Sequence, residues 1–197
     1  MEELIDLFFD KIKENKIDVY NEFSLQHELG IYLRNQIGDY KIEFERNVAH
    51  FGFDKTQFIK READISVYIN SNLYSTIELK YPRNGQVPEQ MFSFVKDLKF
   101  LEQLTSKGFQ KGYLIVLTDD PLFYSGKNEG IYSYFRSKKI ITGTFQKPTG
   151  KKDETIQLTN EYIASWKDLK SNLKYCVLEV NKPNNSNRCT TPHTSKK

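Results

Sequence analysis

The stretch EADISVYINSNLYSTIELKYP, residues 62–82, decides the fold. It divides at Asn70-Ser71-Asn72, residues of the kind that close hairpins, into two alternating runs. In the first, Ile65, Val67 and Ile69 oppose Asp64, Ser66 and Tyr68. In the second, Leu73, Ser75, Ile77 and Leu79 oppose Tyr74, Thr76, Glu78 and Lys80. A period of two predicts strands, and side chains two apart share a face. Glu78 and Lys80 therefore point the same way, and a hairpin brings Asp64 across from them. Charges flanked by apolar residues are costly to bury without compensation. A cation is one compensation. Two carboxylates and a backbone carbonyl, that of Leu79 for instance, supply the hard oxygen donors that Mg²⁺ prefers. The plainer alternative is a solvated ion pair on the polar face of an antiparallel sheet.

Outward from this stretch the sequence predicts further elements. Residues 2–15 form an amphipathic helix through Leu4, Ile5, Phe8, Phe9 and Ile12. Residues 24–36 form a second, with Ser24 as N-cap, a stripe of Leu25, Leu29, Tyr32, Leu33 and Ile37, and Gly38 as its stop. Residues 40–48 alternate as a strand. A polar loop, 82–87, leads to Pro88, which opens a long helix ending at Gly108. Residues 113–117 are a continuous apolar run, the mark of a central buried strand. Beyond it come a short helix at 130–136, strands at 140–145 and 155–158, a helix at 162–173 and a strand at 175–180. Residues 181–197, rich in Asn, Ser, Thr, Pro and Lys, predict a disordered tail. The expectation is one domain over residues 1–180, of class α/β, with a mixed central sheet flanked by helices.

Composition sets outer limits. The 197 residues suit one domain with a proper core, and 14 Phe and 12 Tyr make that core aromatic. The balance of 29 Lys and Arg against 26 Asp and Glu is compatible with a polyanionic partner only if basic residues cluster on one face. Cys176 and Cys189 make no disulfide framework, and His27, His50 and His193 are too scattered for a Cys/His zinc site. No run is apolar enough to span a bilayer and the N-terminus is too charged for a secretory signal, so a cytoplasmic protein without a membrane partner is expected. There is no Walker-type loop, GxSxG or HExxH, and hence no nucleotide cofactor is expected.

Asp64, Glu78 and Lys80, in the order αβββαβ, resemble the PD-(D/E)xK nuclease superfamily, the restriction-endonuclease-like fold. IELKYP (77–82) is close to its Glu-x-Lys strand, while EADISVYI (62–69) lacks the Pro before the Asp, a Pro often absent in the superfamily. The resemblance covers about residues 20–118. It implies a restriction-endonuclease-like core in which Asp64 and Glu78 bind Mg²⁺, with Mn²⁺ as a substitute, and Lys80 aids hydrolysis. It further implies a Glu on the first core helix, for which Glu28 is favoured over Glu22, the latter lying just ahead of the predicted helix start.

On the long helix Asp97 falls within the apolar arc and Gln90 points nearly the same way, while Lys96, Lys99 and Gln103 lie opposite. Asp97 needs a partner, either Lys80 or Arg83, or else faces the cleft; a buried salt bridge holding loop 82–87 is the structural alternative. Arg83, Asn84 and Gln86 are placed to touch a phosphate backbone, and Lys138, Lys139, Lys147, Lys151 and Lys152 form a second basic candidate. The resulting expectation is a Mg²⁺-dependent DNA endonuclease that leaves 5′-phosphate and 3′-hydroxyl ends. It would be a small type II restriction enzyme or a phage, mobile-element or repair nuclease, and a homodimer if it cuts both strands. A nuclease-like domain that binds nucleic acid or protein without cutting is the alternative.

Overall fold

A computed structural model describes residues 1–83, 85–150 and 153–182. Two helices, α1 (Glu2–Lys13) and α2 (Glu22–Gln36), precede three antiparallel strands, β1 (Lys41–Asn47), β2 (Glu62–Ile69) and β3 (Asn72–Lys80). Helix α3 (Val87–Lys107) then crosses over to β4 (Lys111–Thr118), which runs parallel to β3. The remainder is a short helix α4 (Tyr132–Arg136) and strands β5 (Ile141–Gln146), β6 (Thr155–Tyr162), β7 (Trp166–Lys170) and β8 (Leu173–Asn181). The chain is thus α/β, with a mixed six-stranded sheet in the order β1-β2-β3-β4-β8-β7 and a separate β5–β6 hairpin.

Both faces of the sheet are covered, and the alternation of β4 shows how. Tyr113, Ile115 and Leu117 pack with Ile65, Val67, Ile77 and Leu79 under α1 and α2. Leu114 and Val116 pack with Cys176, Leu178 and Val180 under α3 and the β5–β6 hairpin. Helix α2 can lie close to β1 because Gly30 has no side chain; a Cβ there would sit 2.1 Å from the Phe44 ring. Pro88 occupies the first turn of α3, and the helix ends at Gly108.

Two expected elements differ. Helix α2 starts at Glu22, with Asn21 as N-cap, because Ser24 is the third residue of a reciprocal cap. The Asn21 side chain accepts from Ser24 N at 2.7 Å, and Ser24 Oγ accepts from Asn21 N at 3.0 Å. The helix expected at 162–173 is strand instead. β6 runs on to Tyr162, and β7 pairs with β8 across a tight turn in which Ser171 takes φ 45°. Its apolar residues recur at near-helical spacing, but Tyr162, Ala164 and Trp166 pack against the α3 layer and Leu169 against the opposite one. β8 extends through Asn181, which pairs with Lys111; the rest of the expected tail, from residue 183, lies outside the described residues.

The side of α3 that carries Lys96, Lys99 and Gln103 is occupied as well. Lys96 pairs with Glu154 at 2.7 Å, and Gln103 holds Ile59 N at 2.9 Å. Glu102, almost fully buried, accepts from Thr159 N (2.9 Å), Asn160 N (2.8 Å) and the Tyr162 hydroxyl (3.1 Å), fastening β6 to α3. Burial, with Glu102 beside it, pushes the Tyr162 hydroxyl pKa well above the usual tyrosine range. Glu102→Ala strands the buried Tyr162 hydroxyl and releases the part-buried Thr159 and Asn160 N–H groups, and is expected to lower unfolding free energy by about 1–3 kcal/mol in urea titration, because the orphaned buried group keeps its desolvation cost. An unchanged midpoint would mean that β6 is not held by this carboxylate.

Candidate active site

The hairpin register places Ile65 against Ile77 and Ser66 against Thr76, which sets Asp64 opposite Glu78. Glu78 and Lys80 lie beside Leu114 and Val116 of β4, on the face that α3 covers. The solvated polar face is thereby ruled out: Glu78 has no exposed surface. Asp64 Oδ2 accepts from Leu79 N at 2.7 Å, and Glu78 Oε1 stands 3.4 Å from Asp64 N.

Two ammonium groups enter this cluster. Lys80 Nζ donates to Leu79 O at 2.9 Å and lies 3.2 Å from Asp97 Oδ2 and 3.5 Å from Glu22 Oε1. Lys60, from the segment just ahead of β2, donates to Glu78 Oε2 and, at 2.8 Å, to Asp97 Oδ1. Asp97 on α3 therefore joins both lysines. Its Oδ2 has no aligned hydrogen bond, so its contact with Lys80 is purely ionic. Of the two expected partners for Asp97, Lys80 is present. Arg83 is not: it pairs with Asp119 at 2.8 Å and lies over the Tyr81 ring.

The α2 carboxylate that reaches the cluster is that of Glu22. Its Oε2 accepts from Tyr81 N at 3.0 Å while Oε1 faces Lys80. Glu28 takes no part in the cluster. At about 100° per residue it projects about 120° away from Glu22, whereas Gln26, Leu29 and Leu33 continue the Glu22 side into the buried face of α2. Gln26 was not foreseen, although a glutamine in that stripe was a readable signal. Its Nε2 donates to Glu45 Oε1 at 2.7 Å and to Asp64 O at 2.8 Å. Glu45, also unforeseen, takes φ 48° on β1. Glu22, Phe23, Gln26, Glu45, Asp64 and Leu79 line an open cleft of about 250 Å³.

The other expected residues lie outside this cluster. Gln90 gives its carbonyl to Ser93 and its side chain makes no contact with the cluster. Gln86 is exposed, in left-handed conformation (φ 53°) at the start of α3. Asn84 lies outside the described residues, as do Lys151 and Lys152. Of the second basic group, Lys147 pairs with Glu154 at 3.4 Å and Lys139 lies over the Tyr134 ring.

The electrostatics of the cluster follow from its composition. Asp64, Glu78 and Asp97 face only two ammonium groups, and Glu22 adds a fourth acid. Burial, followed by the charges of Asp64 and Asp97, pushes the Glu78 carboxyl well above the usual carboxylate range, against the pull of Lys60. Burial also lifts Asp64 to about 6, with Lys60, Lys80 and the Leu79 N–H pulling the other way. For both lysines burial works against the charge. Glu78, Asp97 and Asp64 outweigh it at Lys60, and Asp97, Glu22 and Asp64 at Lys80, so both stay protonated above the ordinary lysine range.

The acids make an oxygen-only donor set with more carboxyl groups than ammonium groups, which suits a hard divalent cation. Among the described residues no three His, Cys, Asp or Glu side chains are already grouped to hold a metal ion, and Lys60 sits on Glu78 where such a group would close. Comparison with known proteins finds no matching family model, no matching curated protein and no matching solved structure. Among the described residues no helix is long and apolar enough to cross a membrane.

Asp64 also affects stability in the metal-free protein. An acid whose folded pKa is raised favours folding only while protonated. Its contribution is full below the unfolded value and is lost as pH rises through about 6. In EDTA, Asp64→Asn should therefore raise unfolding free energy at pH 8 by on the order of 2–3 kcal/mol and by almost nothing at pH 4. A variant equally destabilised at both pH values would refute this account of Asp64.

Proposed function

We propose that the chain is a divalent-metal-dependent nuclease of the PD-(D/E)xK kind, hydrolysing phosphodiester bonds in DNA. The observation that carries this reading is the placement of Asp64 directly across from Glu78, with Lys80 one step along the same face and Glu22 reaching in from α2. The order α2-β1-β2-β3-α3-β4 supports a restriction-endonuclease-like core. The donor set fits Mg²⁺ or Mn²⁺. Asp64 and Glu78 would hold the ion, and Glu22 would contribute from the helix side. When bound, such an ion supplies a Lewis acid and a water of lowered pKa.

The chain's own residues do the rest. Lys80 enters as an ammonium, anchored on Leu79 O and set between Asp97 and Glu22. A lysine held protonated this firmly serves as a positive charge for the pentacovalent phosphate and as a donor that orients water, rather than as a general base. Asp97 keeps it in place from the far side. Gln26, bonded to the Asp64 carbonyl, fixes the strand from which Asp64 projects. Arg83 and Gln86 lie just beyond the end of β3, where a backbone phosphate of the substrate would pass. Cutting both strands of a duplex would call for a homodimer.

A binding domain that does not cut has one observation in its favour, the cover that Lys60 lays over Glu78. Cleavage of plasmid DNA separates the two readings. The nuclease reading expects nicking or cutting in Mg²⁺ or Mn²⁺ and none in EDTA. It expects Lys80→Ala and Asp64→Ala to lose at least about 10²-fold in rate, Glu22→Gln to lose a smaller factor, and Glu28→Gln to lose nothing. Residual cleavage that is the same in wild type and Lys80→Ala would refute it.

A further inference from the structure

Lys60 is absent from the Asp/Glu-x-Lys pattern, yet its ammonium contacts two carboxylates of the candidate site. Its ammonium bridges Glu78 and Asp97 and stands 5.5 Å from the centre of the Phe100 ring. The backbone that carries it is held: Gln103 on α3 accepts from Ile59 N at 2.9 Å and donates to Gln57 O at 3.1 Å. The side chain itself is less confined. It keeps 29% of its surface in solvent, against none for Glu78 and 3% for Asp97. Lysine is a point charge on a four-carbon stem and can move its head without moving its backbone.

We infer that Lys60 is a built-in counter-ion of the metal site, which holds Glu78 in the metal-free protein and yields it to an incoming divalent cation while remaining anchored on Asp97. The inference rests on the metal-site reading above. Three features carry it. Glu78 is wholly buried, and its Oε2, the oxygen on the Lys60 side, is taken by that ammonium. Asp97 offers Lys60 a second carboxylate oxygen that the metal would not need. The cluster also has more carboxyl groups than ammonium groups, so a cation arriving at Asp64 and Glu78 finds oxygen donors to spare and makes one of the lysine's two contacts dispensable. A pair present for stability alone has no use for this surplus, since well-packed apolar residues of similar volume would serve as well.

The test is calorimetric titration of the full-length protein with Mn²⁺, comparing wild type, Lys60→Met, Lys60→Arg and Asp64→Asn. Removing a unit positive charge within contact distance of Glu78 should make Lys60→Met bind Mn²⁺ at least about tenfold more tightly than wild type, and Lys60→Arg should restore wild-type affinity. Lys60→Gln, which keeps a hydrogen-bond donor for both carboxylates, gives the same comparison if the methionine variant does not fold. Affinity that is unchanged or weaker in the folded neutral variants overturns the counter-ion role and leaves the nuclease reading standing. Absence of Asp64-dependent Mn²⁺ binding in the wild type overturns both.

Discussion

The carboxylate of Glu78 has no exposed surface, and much of the structure around it follows from that burial. A charge between a sheet and a helix needs partners on both sides. Lys60 comes from the loop before β2, Asp97 from α3, Lys80 from the same strand and Glu22 from α2, so the elements that enclose this end of the sheet are joined by ionic contacts. Removing one member leaves another unpaired. The network is also unbalanced, with more acids than ammonium groups.

The apolar framework determines where this cluster can exist. β3 and β4 are buried on both faces, and only the alternation of β3 sets Ile77 and Leu79 toward α1 and α2 while Glu78 and Lys80 turn toward α3. Asp64 is at the margin between the two faces, bonded to the Leu79 N–H and open to the cleft that Glu22 and Glu45 line. The site thus has a dry side, where Lys60, Glu78 and Asp97 meet, and a wet side, where Asp64 and Glu22 are reachable. Chemistry on a phosphodiester would take place on the wet side, with the dry side fixing the geometry.

Residues 62–82 were legible because two periods of alternation and a hairpin turn state their own pairing. That pairing alone set Asp64 against Glu78. The long α3 and the carboxylate in its apolar arc were legible for the same reason. Glu28 was preferred to Glu22 because Ser24 resembles an N-cap; the true cap is Asn21, and the shift of the helix start brings Glu22 into the first turn. The segment at 162–173 misled because Tyr162, Trp166 and Leu169 mimic a helical period across two strands. Lys60, Gln26 and Glu45 reach the site only through tertiary packing. Gln26 alone announced itself, as an amide in a leucine stripe; nothing local marks Lys60 as different from the exposed lysines around it.

The most direct measurement is anomalous scattering from crystals soaked in Mn²⁺. One strong peak is expected within coordination distance of Asp64 and Glu78, with Lys60 withdrawn from Glu78 onto Asp97, and that peak is expected to vanish in Asp64→Asn. A peak bound elsewhere, or none at these carboxylates at saturating Mn²⁺, would contradict a metal site at Asp64 and Glu78.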